Sequence, residues 1–132
     1  MSHTKNSFSG AKYGYSEKIE AALIAGINIE TKDSYDNRTP LIALAEGYHI
    51  NNEEDEEEYL KALRILIDAG ANLNAQDHSG KTALFLALEN SRLKLAEELI
   101  KKGADTKIKT KEGKDSSMLI DQMNNLKSLI SK

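Results

Sequence analysis

The chain has 132 residues, enough for one domain, and a net charge of −3, too small to point to nucleic acid or a membrane surface. Apolar residues make up 39%, charged residues 30%, and large rings are scarce, with two Phe, five Tyr and no Trp, so the core must be thin and built from Leu, Ile and Ala. With no cysteine, disulfides, thiol catalysis and Cys-based metal sites are excluded, and a reducing compartment, the cytoplasm, is the expected location.

Taken in chain order, Met1 to Gly10 is polar and lacks the apolar core of a secretory signal. No later run approaches the roughly 18 apolar residues that a membrane span needs. Residues 1–14 are expected to hold a first helix, weakened by Ser7, Ser9, Gly10 and Gly14, and Ser16 to Ala25 a second that stops at Gly26. Two segments then repeat. Asn37-Arg38-Thr39-Pro40-Leu41-Ile42-Ala43-Leu44-Ala45 matches Gly80-Lys81-Thr82-Ala83-Leu84-Phe85-Leu86-Ala87-Leu88. Leu66-Ile67-Asp68-Ala69-Gly70-Ala71-Asn72 is echoed by Leu99-Ile100-Lys101-Lys102-Gly103-Ala104-Asp105, and Gly70 to Gly103 is a step of 33. A period of that size means stacked supersecondary units.

The step from Gly26 to Gly70 is 44, and ten of the eleven extra residues lie between Thr39 and Gly70. They are expected as an insert near 48–58, between the two helices of the second unit. Asn52 can cap the second helix there, with the acidic run Glu53, Glu54, Asp55, Glu56, Glu57 and Glu58 in its first turns and Leu60, Leu63, Leu66 and Ile67 on its buried stripe. In the third unit Thr82 caps one helix carrying Leu84, Phe85 and Leu88, Asn90-Ser91 breaks it, and Leu93, Leu95-Ala96 and Leu99-Ile100 give the next, which ends at Gly103. Residues 104–114 form a polar loop, and within 101–114 six lysines face only Asp105 and Glu112, so the molecule is electrically two-ended. The last unit, 113–132, places Ser116-Ser117 at apolar positions. It keeps a face of Leu119, Met123, Leu126 and Ile130, as a polar-backed cap would.

The Thr39-Pro40-Leu41 core with Ala43 and Ala45, the Gly-Ala-Asn-Leu-Asn run at 70–74, Gly103-Ala104-Asp105 and the 33-residue period resemble ankyrin repeats. The likeness runs from about residue 15 to 132 and is strongest in the two central units. It implies an all-α solenoid of about four helix-turn-helix units, near 5–36, 37–79, 80–112 and 113–132, with projecting hairpin loops. The chain departs from the motif at Ala83, which replaces its proline, and at Ile42 and Phe85, where His is common and usually makes a loop-to-helix hydrogen bond. The resemblance further implies that the chain binds one or more proteins through loop tips and the exposed side of the first helices, as a small adaptor or inhibitor. The matching positions are Lys32, Ser34, Tyr35, Arg38, Glu46 and Gly47, then Gln76, His78, Ser79, Lys81, Glu89 and Asn90, then Lys109, Lys111, Glu112 and Lys114. These positions are polar and vary between units while the framework does not. Tyr35, a large ring at a loop tip, suits a binding hot spot, and alanine at Tyr35 or Arg38 is expected to weaken binding without lowering the melting temperature.

Other chemistries compete for these residues. Glu53–Glu58 could enter a basic cleft of a partner, as in an immunity-type inhibitor of a toxin, although a solvated helix start explains the run more simply. Residues 75–82 fit a permissive phosphate-loop pattern, but Gly80-Lys81-Thr82 falls in register with the repeat and no buried strand precedes it. His3, His49 and His78 lack paired ligands, and no serine has an assignable base, so neither an enzyme, a metal site nor a cofactor is expected. The C-terminal lysines have no interleaved aromatics, which favours protein over nucleic acid. A monomer is expected.

Overall fold

A computed structural model describes residues 16–34 and 37–130. The expected helix in residues 1–14 and the loop-tip residue Tyr35 lie outside the described residues. Within them are six helices and no strand: α1 (Ser16–Ile24), α2 (Pro40–Glu46), α3 (Glu53–Asp68), α4 (Ala83–Glu89), α5 (Leu93–Lys101) and α6 (Ser116–Ile130). The first helices of successive units, α2, α4 and α6, pack one on the next, and so do the second helices α1, α3 and α5. Cross-packing of α2 on α3 and α4 on α5 joins the two rows. The result is an all-α solenoid.

Local chemistry starts each first helix in the same way. Thr39 and Thr82 sit in extended backbone and accept from the amides of Ile42 and Phe85, at 3.3 and 3.2 Å. Pro40 adds a pre-set φ at the first helical position of α2. Asp115 replaces Thr in the last unit and accepts from the Met118 amide at 3.3 Å. These short helices end early because Gly47 turns left-handed at φ 63°, and Ser91 does the same at φ 60°.

The ten extra residues divide between loop and helix. Six residues join α2 to α3, against three between α4 and α5, and α3 has 16 residues against nine in α5. Helix extension therefore takes seven of the ten. It is possible because two side chains secure its start: the Asn52 side chain accepts from the Asp55 amide at 2.8 Å, and the Asp55 carboxylate accepts from the Asn51 amide at 2.9 Å.

The core is a thin seam of Leu and Ala. Leu44, Leu63, Leu66, Leu84, Leu95 and Leu99 are fully buried, with Ala45, Ala62, Ala83 and Ala87 letting the helices approach. Three side chains depart from the sequence expectation. Tyr59 is buried at 1% exposure at the head of the α3 stripe, while Leu93 and Ile100 of α5 are 39% and 42% exposed. Of the expected face on α6, Leu119 is half-buried, and Met118 beside it is 50% exposed.

Glu58, in the acidic run, ties α3 to α1. Its carboxylate accepts from both the amide and the hydroxyl of Ser16, each at 2.7 Å. Burial acts to raise the Glu58 carboxyl, but the two Ser16 bonds and the charge of Lys61 together hold it below the ordinary range. A carboxyl depressed in the folded state stabilises fully above its unfolded pKa, about 4.3, and loses that contribution as the pH falls through the folded value. Glu58→Gln is therefore expected to lower the urea midpoint at neutral pH, by a deficit that shrinks as the pH falls through the folded value. A deficit that persists undiminished in acid would show that the carboxylate charge is not what holds α1.

Candidate protein-binding face

The loops that follow each second helix repeat in detail. Two residues past Gly26, Gly70 and Gly103, the side chains of Asn28, Asn72 and Asp105 accept from the amides of Glu30, Asn74 and Lys107 at 2.8–2.9 Å. Glu30 and Asn74 then reach the next unit, accepting from the amides of Asn72 (2.7 Å) and Asp105 (2.9 Å). Further on, Asp33, Asp77 and Thr110 close hairpins by donating backbone bonds to the carbonyls of Arg38, Lys81 and Lys114, at 2.9, 2.9 and 2.8 Å. The residue before each cation is left-handed: Asn37 (φ 59°), Gly80 (φ 81°) and Gly113 (φ 82°).

Each hairpin therefore delivers a cation to one position above its first helix, and an acid eight residues later answers it in two units. The Arg38 guanidinium bridges Asp33 at 2.8 Å and Glu46 through a second nitrogen. Its side chain is 11% exposed and that of Glu46 6%. Burial opposes the Arg38 charge, but the bonds to Asp33 and Glu46 outweigh it and raise its pKa further. In the next unit Lys81 reaches Glu89 at 2.8 Å, and its ammonium stands 5.9 Å from the centre of the Phe85 ring. The bond to Glu89 is the main reason that the Lys81 pKa is raised. Asn90 links the ends of the neighbouring first helices α4 and α2 by donating its amide nitrogen to the Glu46 carbonyl at 3.2 Å.

Tyr48 stands next to this row and carried no signal in the sequence, where it falls in the insert. It follows the left-handed Gly47, is 59% exposed, and stands close enough to the Glu46 carboxylate to feel its charge. Partial burial, then the charge of Glu46, raise its phenol above the ordinary range against the pull of Arg38 and Lys81.

The remaining expected contact residues spread along the rim. Lys32, Ser34, His78, Ser79, Lys109, Lys111, Glu112 and Lys114 are exposed. Gln76 is exposed too, yet its amide nitrogen bridges the Gly80 and Lys109 carbonyls at 2.9 and 3.0 Å, stacking one hairpin on the next. Arg38, Glu46 and Gly47 are not free surface: the first two neutralise each other, and Gly47 is buried under the Arg92 side chain. Alanine at Arg38 thus removes a structural ion pair, which corrects the expectation that it would leave stability untouched.

The acidic run is also partly committed. Glu58 binds Ser16, Asp55 caps α3, and Glu56 pairs with Lys94 at 3.5 Å, leaving Glu53, Glu54 and Glu57 exposed. Gly80-Lys81-Thr82 forms the hairpin end and helix cap just described, with Lys81 held by Glu89, and no strand leads into it. Among the described residues no helix is long and apolar enough to cross a membrane.

Two rows of stacked helices with a rim of equivalent hairpins define a solenoid. The chain belongs to the ankyrin repeat family: the family model for ankyrin repeats (3 copies) matches residues 8–110. It is a protein-binding module of that family. It is 32% identical over 96 residues to the mouse (Mus musculus) B-cell lymphoma 3 protein homolog, a match covering 73% of this chain and 19% of that protein. It is 33% identical over 108 residues to the human (Homo sapiens) ankyrin repeat and SOCS box protein 6, covering 74% of this chain and 22% of that protein. The ankyrin repeat and KH domain-containing protein mask-1 of Caenorhabditis elegans is 29% identical over 106 residues, covering 80% of this chain and 4% of that protein. The chain thus spans about a fifth or less of the length of these relatives.

Proposed function

We propose that the chain is an adaptor or inhibitor that grips one protein partner, as a cytoplasmic monomer, with the first-helix face and hairpin tips. Tyr48 carries this reading. A tyrosine that is 59% exposed beside the Glu46 carboxylate, just after the left-handed Gly47, offers a large ring to a partner. Aromatic anchors of this kind dominate binding energy because they bury much area at small entropic cost. Around the ring lie paired charges, Lys81 with Glu89, that suit a polar rim.

The test is affinity capture from native lysate with the full chain, identification of the partner by mass spectrometry, and titration of that partner against variants. Tyr48→Ala is expected to weaken binding about tenfold or more with the melting temperature unchanged within about 2 °C. Unaltered affinity for Tyr48→Ala, Lys81→Ala and Glu89→Ala alike would remove this face as the binding surface.

A further inference from the structure

The three units differ in how completely their hairpin cation is neutralised. Arg38 is held by two carboxylates, and Lys81 by one. The third position is Lys114, and the residue eight further on, where the pattern has Glu46 and Glu89, is Gln122. Among the described residues no carboxylate pairs with Lys114, nor with Lys109 or Lys111 on the same hairpin, and all three are exposed.

The apolar side of the row changes in the same unit. Ile42, Phe85 and Met118 are equivalent, four residues after Arg38, Lys81 and Lys114. Ile42 and Phe85 are covered, at 1% and 4% exposure, whereas Met118 is 50% exposed. The repeat therefore sets an uncovered thioether four residues after an unanswered ammonium, the register in which Lys81 stands over Phe85. Of the nearby carboxylates, Asp115 is engaged by the Ser117 hydroxyl and the Met118 amide, and these bonds outweigh a small desolvation penalty and hold it below its ordinary range. Glu112 is exposed on the hairpin tip.

Resting on the binding face proposed above, we infer that its last unit recognises a short acidic peptide segment bearing one apolar side chain. Carboxylates of the segment take the place of the missing glutamate at Lys114 and meet Lys111, and the apolar group seats on Met118. Methionine suits that role because its unbranched thioether adapts to different partners. A protein ligand fits better than a nucleic acid: no exposed ring stands among these lysines for a base to stack on. The first two units, whose cations are already satisfied, add shape more than charge selectivity.

The experiment is selection of a randomised displayed-peptide library on the full chain, followed by fluorescence anisotropy of the enriched peptides. Enrichment of Asp/Glu-rich sequences with a single apolar residue is expected. Their affinity should fall about tenfold in Lys114→Glu and also in Gln122→Glu, which restores the internal acid and should leave the melting temperature unchanged or raise it. Enriched peptides that are neutral or basic, ignore Lys114→Glu and fail on Tyr48→Ala would overturn this inference while leaving the binding face standing. Failure to enrich any peptide overturns it as well, and the lysate capture with Tyr48→Ala still judges the face by itself. Equal competition by a single-stranded oligonucleotide, or a doubled mass in light scattering that Lys114→Glu abolishes, would reassign the patch to nucleic acid or to a second copy.

Discussion

Replacing Arg38 with alanine lowers stability by an expected ~3 kcal/mol and the melting temperature by on the order of 10 °C. The cause is what remains. Glu46 is 5% exposed on the inner row, that of the first helices, and without the guanidinium its carboxylate loses its ion-pair partner. An uncompensated buried charge costs more than the pair contributes, so Arg38→Met combined with Glu46→Leu is expected to recover most of the loss. Arg38→Lys should recover part, because an ammonium cannot reach Asp33 and Glu46 with the same planar fork. Lys81→Ala, which breaks the equivalent pair, is expected to cost less than about 1 kcal/mol, since Glu89 is 42% exposed and water can replace the lysine. Thermal denaturation of the five proteins, the parent included, measures all of this. Arg38→Ala melting within about 2 °C of the parent would mean that Glu46 escapes to solvent, and that the inner row is softer than its burial indicates.

The contrast between Arg38 and Lys81 shows where sequence reasoning stops. Both residues stand one before the capping threonine, so the repeat identified their position and their hairpin at once. What the repeat could not say is that the first unit places Asp33 beside its cation. Asp33 and Asp77 both accept from the amide of their hairpin's cation, at 3.0 and 2.9 Å, but Asp33 also binds the side chain of its cation, the Arg38 guanidinium. Burial of Glu46 is likewise a property of stacking, since an acid at the end of a seven-residue helix looks exposed when that helix is drawn alone.

The framework was readable because its signals are local: threonine caps, left-handed glycines and leucines at helical spacing. The insert was readable in position from two distances along the chain, and even its cap at Asn52 followed from residue type. Its partition into three loop residues and seven helical ones did not follow, because a strong helix start and a longer loop are both compatible with the same acidic run. Tyr48 was hidden for the same reason, and Tyr59 because a ring next to six acids gives no hint of a place in the core.

Gly80→Ala provides the second large effect, with Gly103→Ala as its control. Both glycines have left-handed backbone, at φ 81° and 98°, so each substitution carries the same conformational cost of about 1 kcal/mol. They differ in surroundings. A Cβ on Gly103 meets nothing within 4 Å, whereas one on Gly80 would lie 2.8 Å from the Lys111 nitrogen and 3.1 Å from the Thr110 Cα. Those neighbours are backbone and cannot rotate aside. The hairpins must separate, straining the Lys111 amide bond to the Ser79 carbonyl (3.0 Å) and the Gln76 bridge. An additional ~2 kcal/mol is expected for Gly80→Ala, near 3 kcal/mol in total, against about 1 for Gly103→Ala by urea denaturation. Hydrogen exchange at the Lys111 amide should accelerate only in the first variant. Equal losses in the two would show that neighbouring hairpins are not held in register by this close approach. Lys111 and Lys114 ride on the displaced hairpin, so Gly80→Ala should also weaken acidic-peptide binding although Gly80 itself touches no ligand. A loss of affinity at Gly80 but not at Gly103 would tie recognition to the spacing of the hairpins, and not only to the charges they carry.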